Sequence, residues 1–140
     1  MPKSPPTTIR LRPDVAQRVA AMAKRSGRSK SAVLENLIDE AERERRYPGI
    51  RFSGPDSDRR ASLADSNLDI WQVIRSLQDW DNDAEKMCRE AEFPLRLVEI
   101  ALAYYREFPE EIDEAIALDR RPIEQLRREY PFARIVLLDV

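Results

Sequence analysis

The order of patterns in the first 46 residues constrains the fold more than any other feature of the chain. The stretch TTIRLRP, residues 7–13, alternates the apolar Ile9 and Leu11 with Thr8, Arg10 and Arg12. A strand of that pattern has one apolar face and one face carrying a threonine and two arginines. Pro13 can open a helix directly behind it, because its missing N–H would be unpaired there in any case. Val15, Val19 and Met22, with Ala16, Ala20 and Ala23, then recur at helical spacing, and Gly27 stops the run. Ser29 is placed to cap a second helix whose apolar face is Val33, Leu34, Leu37, Ile38 and Ala41, closing near Arg46. A strand, a helix, a glycine turn and a helix in about 40 residues bury too little surface for a stable monomer. The simplest solution is a dimer in which the strands of two copies pair and their apolar faces cover the helices.

Charge divides the chain in the same place. Residues 1–46 hold 11 Lys/Arg against 6 Asp/Glu, a balance of +5. Residues 47–118 hold 8 against 16, a balance of −8, and residues 119–140 hold 5 against 4, a balance of +1. A basic start joined to an acidic middle predicts that only the first part meets a polyanion.

The stretch TTIRLRPDVAQRVAAMAKRSGRSKSAVLENLIDEAERE resembles a ribbon-helix-helix DNA-binding domain of the CopG/Arc/MetJ type over roughly residues 7–45, with GRSKSAVL its most distinctive part. In such domains two strands form an intermolecular antiparallel ribbon that enters the major groove. The resemblance implies that Thr8, Arg10 and Arg12 contact bases, arginine pairing with guanine O6 and N7 and threonine through its hydroxyl or methyl. It also implies phosphate contacts at the start of the second helix, at Ser29, Lys30 and Ser31, supported by the helix dipole and the Lys30 charge. Arg28 is a weaker phosphate ligand, and Lys24 and Arg25 read as a solvated helix end.

The segment 47–118 reads as two short strands, 50–53 and 60–63, around a Gly/Pro/Asp turn, followed by short helices. Asp69 or Asn67 can cap a helix burying Ile70, Trp71, Val73, Ile74 and Leu77. A helix from Ala84 to about Glu92 precedes a tight turn into a longer one, 95–108, with Leu95, Val98, Ala101, Leu102 and Tyr105 on one side. Pro109 starts a last helix with an acidic first turn. This order predicts a small helix-turn-helix-like domain with a β-hairpin. YPGIRF, RRASLA, LDIWQVIRSL and ALAYYREFPEEIDEAI resemble the family known as domain of unknown function 433. That resemblance implies an antitoxin encoded beside a PIN-like nuclease toxin. The loop before RRASLA is longer and more acidic than the family's compact form. Arg96 and Arg106 are offset by Glu99 and Glu107, which argues against a second DNA site. Trp71, Trp80, Tyr104 and Tyr105 read as core rather than as a base-stacking platform.

The residues available for catalysis are few. The chain has no histidine, and Cys88 is its only cysteine. Ser–His and Cys–His arrangements, internal disulfides and cysteine-rich zinc sites are thereby excluded. DWDNDAEKMCRE places Asp79, Asp81, Asp83 and Glu90 at the first, third, fifth and twelfth positions of a calcium loop. Ala84 and Lys86 stand where that loop needs glycine and an apolar residue, so a turn is the better reading. The expectation is a protein without metal or cofactor that is not an enzyme. No apolar run approaches the roughly 18–20 residues that cross a bilayer, and the N-terminus lacks a signal-peptide core, so no membrane contact and a cytoplasmic location are expected.

In the tail, Pro122 can open a short helix to about Glu129, and FARIVLL is a continuous apolar, β-branched run. Exposed, it would be prone to aggregate. It either returns to its own core or dimer, or adds a strand to a partner. As partner-binding residues we take Arg120, Arg121, Arg127, Arg128, Phe132, Arg134, Ile135 and Leu137, the arginines being suited to the carboxylates of a nuclease site.

The expected architecture is thus mainly α. A flexible leader (1–6) precedes a ribbon-helix-helix domain forming an intertwined dimer (7–46), an acidic helix-turn-helix-like domain (47–118) and a partner-binding tail (119–140). The expected function is that of a type II antitoxin, a homodimer or higher oligomer. It would neutralise a PIN-like ribonuclease and repress its own operon by binding double-stranded operator DNA. The alternatives are a plain dimeric repressor whose acidic domain oligomerises or senses, and an interaction protein whose basic strand only pairs the dimer.

Overall fold

The structure is a computed structural model that describes residues 4–122, together with 125, 128, 129 and 131. Among these, the chain is mainly helical with one small two-stranded antiparallel sheet. The elements run α1 (Pro13–Ser26), α2 (Lys30–Arg46), β1 (Ile50–Ser53), β2 (Arg60–Leu63), α3 (Ile70–Asp79), α4 (Ala84–Glu90), α5 (Leu95–Glu107) and α6 (Pro109–Asp119). Two compact units result, residues 1–60 and 61–140. No helix among the described residues is long and apolar enough to cross a membrane.

In the first unit Gly27 ends α1 in the left-handed region, at φ 68°, a conformation that favours glycine. Arg28 N–H then reaches back to the Ala23 carbonyl at 3.1 Å. Ser29 caps α2, its Oγ accepting from Ala32 N–H at 3.1 Å. Val19, Ala23 and Val33 form the buried centre, with Leu11, Val15, Met22 and Leu34 packed on it. Of the apolar face read along α2, only Val33 is buried; Leu37, Ile38 and Ala41 stay exposed. Residues 4–12 have no regular secondary structure. A strand needs a hydrogen-bonded neighbour, and the neighbour expected here belongs to a second copy.

The C-terminal half of α2 holds β1 and the loop after it. Glu44 Oε1 accepts from the Phe52 N–H at 2.8 Å, and the Arg43 guanidinium lies 5.9 Å from the centre of the Phe52 ring. Arg59 donates to Glu40 at 2.8 Å and to the carbonyls of Gly54 and Phe52 at 2.6 and 3.2 Å. Gly54 has φ 105°, and a Cβ there would lie 2.2 Å from the Asp58 carbonyl oxygen, so the loop excludes any other residue.

The second unit is built on α3, which packs against α5 and α6. Asp69, itself buried, caps α3 and accepts from the buried Ser62 hydroxyl at 2.7 Å and from Trp71 Nε1 at 3.1 Å. Its backbone N–H donates to Gln72 Oε1 at 2.8 Å, closing a capping box. α3 ends through Asp81 and Asn82, both with positive φ, and Asn82 N–H returns to the Leu77 carbonyl at 2.8 Å. Glu92, at φ 52°, ends the turn after α4 in the same way and stops that helix at Glu90.

Two buried faces differ from the sequence reading. On α3, Ile70, Val73, Ile74 and Leu77 are buried, but Trp71 is only half-buried, with the Arg75 guanidinium 5.3 Å from its ring centre. On α5 the buried set is Leu97, Val98, Ala101 and Tyr104, whereas Leu95 is 45% exposed and Leu102 and Tyr105 are half-buried. The charged residues of that helix, Arg96, Glu99, Arg106 and Glu107, share one narrow face, and the buried set lies opposite it, to one side of the stripe read from the sequence. Tyr104 has two specific partners: its hydroxyl bonds Glu111 at 2.8 Å and its ring meets Phe108 at 4.8 Å.

Candidate nucleic-acid interface

Thr8, Arg10 and Arg12 lie exposed in the segment without regular secondary structure ahead of α1. Leu11 turns the other way, onto the Val19–Ala23–Val33 centre, while Ile9 is exposed. The alternation therefore holds at Leu11, with arginines on either side left in solvent. Arg12 stands 3.7 Å from the Asp14 carboxylate, which also meets Arg18 at 3.7 Å. Pairs as exposed as these hold an arginine only weakly. Arg10 has no ion pair among the described residues.

Ser29, Lys30 and Ser31 are likewise exposed, one glycine turn beyond α1. The Ser29 hydroxyl is occupied by the Ala32 N–H, and the Ser29 carbonyl takes the Val33 N–H at 3.1 Å. The N–H groups of Lys30 and Ser31 are those left facing the open end of the helix. The first turn of α2 carries no acidic side chain, so the positive end of the dipole is not neutralised locally. Arg28 is directed elsewhere. With the Asn36 amide oxygen turned towards it, Arg28 Nη1 donates at 2.6 Å, drawing the side chain along α2 and away from its start.

Several arginines of the second unit are engaged within it. Arg96 pairs with Asp65 at 2.9 Å. Arg120 bonds Asp79 at 2.7 Å, and beside it Arg75 bonds Asp119 at 2.6 Å, so two ion pairs tie α3 to the end of α6. Arg121 donates to the Leu118 carbonyl at 3.1 Å and to Glu129. Arg128 is exposed. Arg127, Phe132, Arg134, Ile135 and Leu137 lie outside the described residues.

The acidic turn is also engaged. Asp79 holds Arg120, and Asp83 caps α4 by accepting from Lys86 N–H at 3.0 Å. Among the described residues, no three His, Cys, Asp or Glu side chains are grouped to hold a metal ion. Burial and the nearby Glu99 push the Cys88 thiol up, which keeps it protonated. A hydrogen bond to Asp113, with burial, likewise raises the Tyr105 hydroxyl. Sequence reasoning missed Arg59 and its partner Glu40, 19 positions apart, because no local pattern joins them.

Comparison of the chain with family models, with curated proteins and with solved structures found no match.

Proposed function

We propose that the chain is a dimeric DNA-binding repressor of its own operon that also serves as the antitoxin of a type II pair. One observation carries the DNA-binding part: Leu11 is packed inward while Arg10 and Arg12 on either side of it are exposed, directly before α1. Pairing that segment with a second copy makes a two-stranded ribbon with four arginines on one face, of a width the major groove accepts. The exposed Leu37, Ile38 and Ala41 of α2 supply apolar surface for the same dimer. Replacing Arg10 and Arg12 together by alanine removes operator preference and leaves the dimer intact. A titration in which this variant keeps wild-type selectivity refutes the ribbon assignment.

The antitoxin part draws on the resemblance of residues 47–118 and on the apolar tail run FARIVLL. Since Arg120 and Arg121 already bond Asp79 and the Leu118 carbonyl, a toxin-binding arm would use the residues after them. Co-expression of the adjacent gene with the full chain, or with a folded and dimeric version ending at Leu118, tests this in a growth assay. Rescue by the full chain alone places neutralisation in residues 119–140. Rescue by both places it in the acidic domain, and a harmless neighbour leaves a plain repressor.

A further inference from the structure

The loop of residues 54–58, with two aspartates in five residues, has no role in the reading above. It is not a loose excursion. Gly54 fixes its entry at φ 105° with no room for a side chain, and Asp58 N–H closes a turn on the Pro55 carbonyl at 2.9 Å. Arg59, with its three hydrogen bonds, pins both ends of the loop to α2 through Glu40. Thus held, Asp56 stands 3.5 Å from Arg25 in the last turn of α1. Asp56 also lines a cleft of about 130 Å³ together with Ser26 and Arg28, the residues flanking Gly27. The loop therefore brings a carboxylate to the corner at Gly27, two residues before the Ser29 cap of α2.

We infer that this acidic loop is an electrostatic brake on DNA binding: the Asp56 charge, placed beside Arg25, offsets that guanidinium's attraction for the phosphate backbone and restrains sequence-independent affinity. The proposal rests on the DNA-binding reading. Arg25 is 68% exposed and four residues from the α2 cap, so it is within reach of a strand docked at that helix start once its carboxylate partner is removed. An exposed pair of this kind contributes little to folding, which leaves its effect on binding as the measurable one.

The test is a fluorescence-anisotropy titration of the full chain into a labelled random-sequence duplex at several salt concentrations, with folding checked by circular dichroism. Asp56→Asn is expected to bind more tightly and to steepen the salt dependence by about 0.9 per protomer, or about 1.8 per dimer. Its advantage over wild type then grows about twelvefold between about 200 and about 50 mM salt. Arg25→Gln in the Asp56→Asn background should abolish the gain, and Glu114→Gln, a matched charge change on α6, should not reproduce it. Arg25→Gln in the otherwise wild-type chain should lower the slope by less than it does in the Asp56→Asn background. An equal drop in the two backgrounds, or an Asp56→Asn gain that survives loss of Arg25, overturns the brake. Equal slopes for wild type and Asp56→Asn overturn it while leaving DNA binding in place. If neither protein binds at low salt, the DNA-binding reading fails and the brake with it.

Discussion

Replacing Asp69 by alanine should destabilise the second unit well beyond the loss expected of an ordinary surface carboxylate. Three donors converge on this buried side chain: the Ser62 hydroxyl at 2.7 Å, Trp71 Nε1 at 3.1 Å and the backbone N–H of Gln72 at the start of α3. Loss of the cap costs about 1 kcal/mol. Ser62 is itself buried, and leaving its hydroxyl without a partner costs about 1–3 kcal/mol more. Trp71 is half-buried, so water can replace its partner at little cost. The three share one carboxylate and will not add fully, which sets the expected loss at about 2–4 kcal/mol. Both tryptophans of the chain, Trp71 and Trp80, lie in residues 61–140, so their fluorescence reports the unfolding of that unit in urea. At a slope of about 2 kcal/mol/M the midpoint should fall by about 1–2 M. Adding Ser62→Ala should restore about 1 kcal/mol, because the stranded hydroxyl is then gone. A loss below about 0.5 kcal/mol for Asp69→Ala, typical of a neutral surface site, refutes the reasoning.

Other perturbations have equally definite outcomes. Ile38→Glu places a charge on the exposed apolar face of α2, and sedimentation should show loss of the proposed dimer, with helix lost from the N-terminal unit by circular dichroism; an unchanged dimer refutes the assignment of that face. Tyr105 donates to the Asp113 carboxylate, which raises the pKa of its hydroxyl, so the neutral phenol is the form that the fold favours. The stability this contact contributes is complete below about pH 10 and is lost as pH rises through the higher native value. Tyr105→Phe should remove that alkaline decline, and the missing tyrosinate absorbance should belong to a group titrating above about pH 10. A missing component at or below that value refutes the contact.

What could be read from the sequence depended on how local its cause was. Gly27, Ser29, Asp69 and Pro109 mark helix ends through effects confined to one turn, and α1, α2, α3 and α6 begin or stop at them. The same holds for the hairpin, whose strands occupy 50–53 and 60–63 as the Gly/Pro/Asp turn requires. The buried stripe of α5 was read off-centre. Apolar residues cover most of that helix, but Arg96, Glu99, Arg106 and Glu107 mark its one charged face, and the side opposite them is the one packed against its neighbours. Trp71 was misplaced for a related reason: its indole N–H follows Asp69 and its ring lies against Arg75, which keeps it at the surface. At the proposed DNA-binding edge, exposure of Arg10 and Arg12 follows from alternation with Leu11, whereas the diversion of Arg28 to Asn36 depends on a side-chain pair two turns into α2. The docking of the acidic loop through Arg59 and Glu40 is a long-range pairing of charges, and charged residues are too common here for such a pair to stand out.

The central claim is that the N-terminal unit, as a dimer, reads DNA through Thr8, Arg10 and Arg12. The most direct measurement is a titration of the full chain into a labelled duplex taken from immediately upstream of its own gene. A scrambled duplex of equal length serves as competitor, and the titration is repeated over a range of salt. The expected result is a complex with an even number of protomers, a steep fall in affinity with salt, and a preference for the upstream sequence of about a thousandfold or more. Equal affinity for the two duplexes, or binding indifferent to salt, would contradict it.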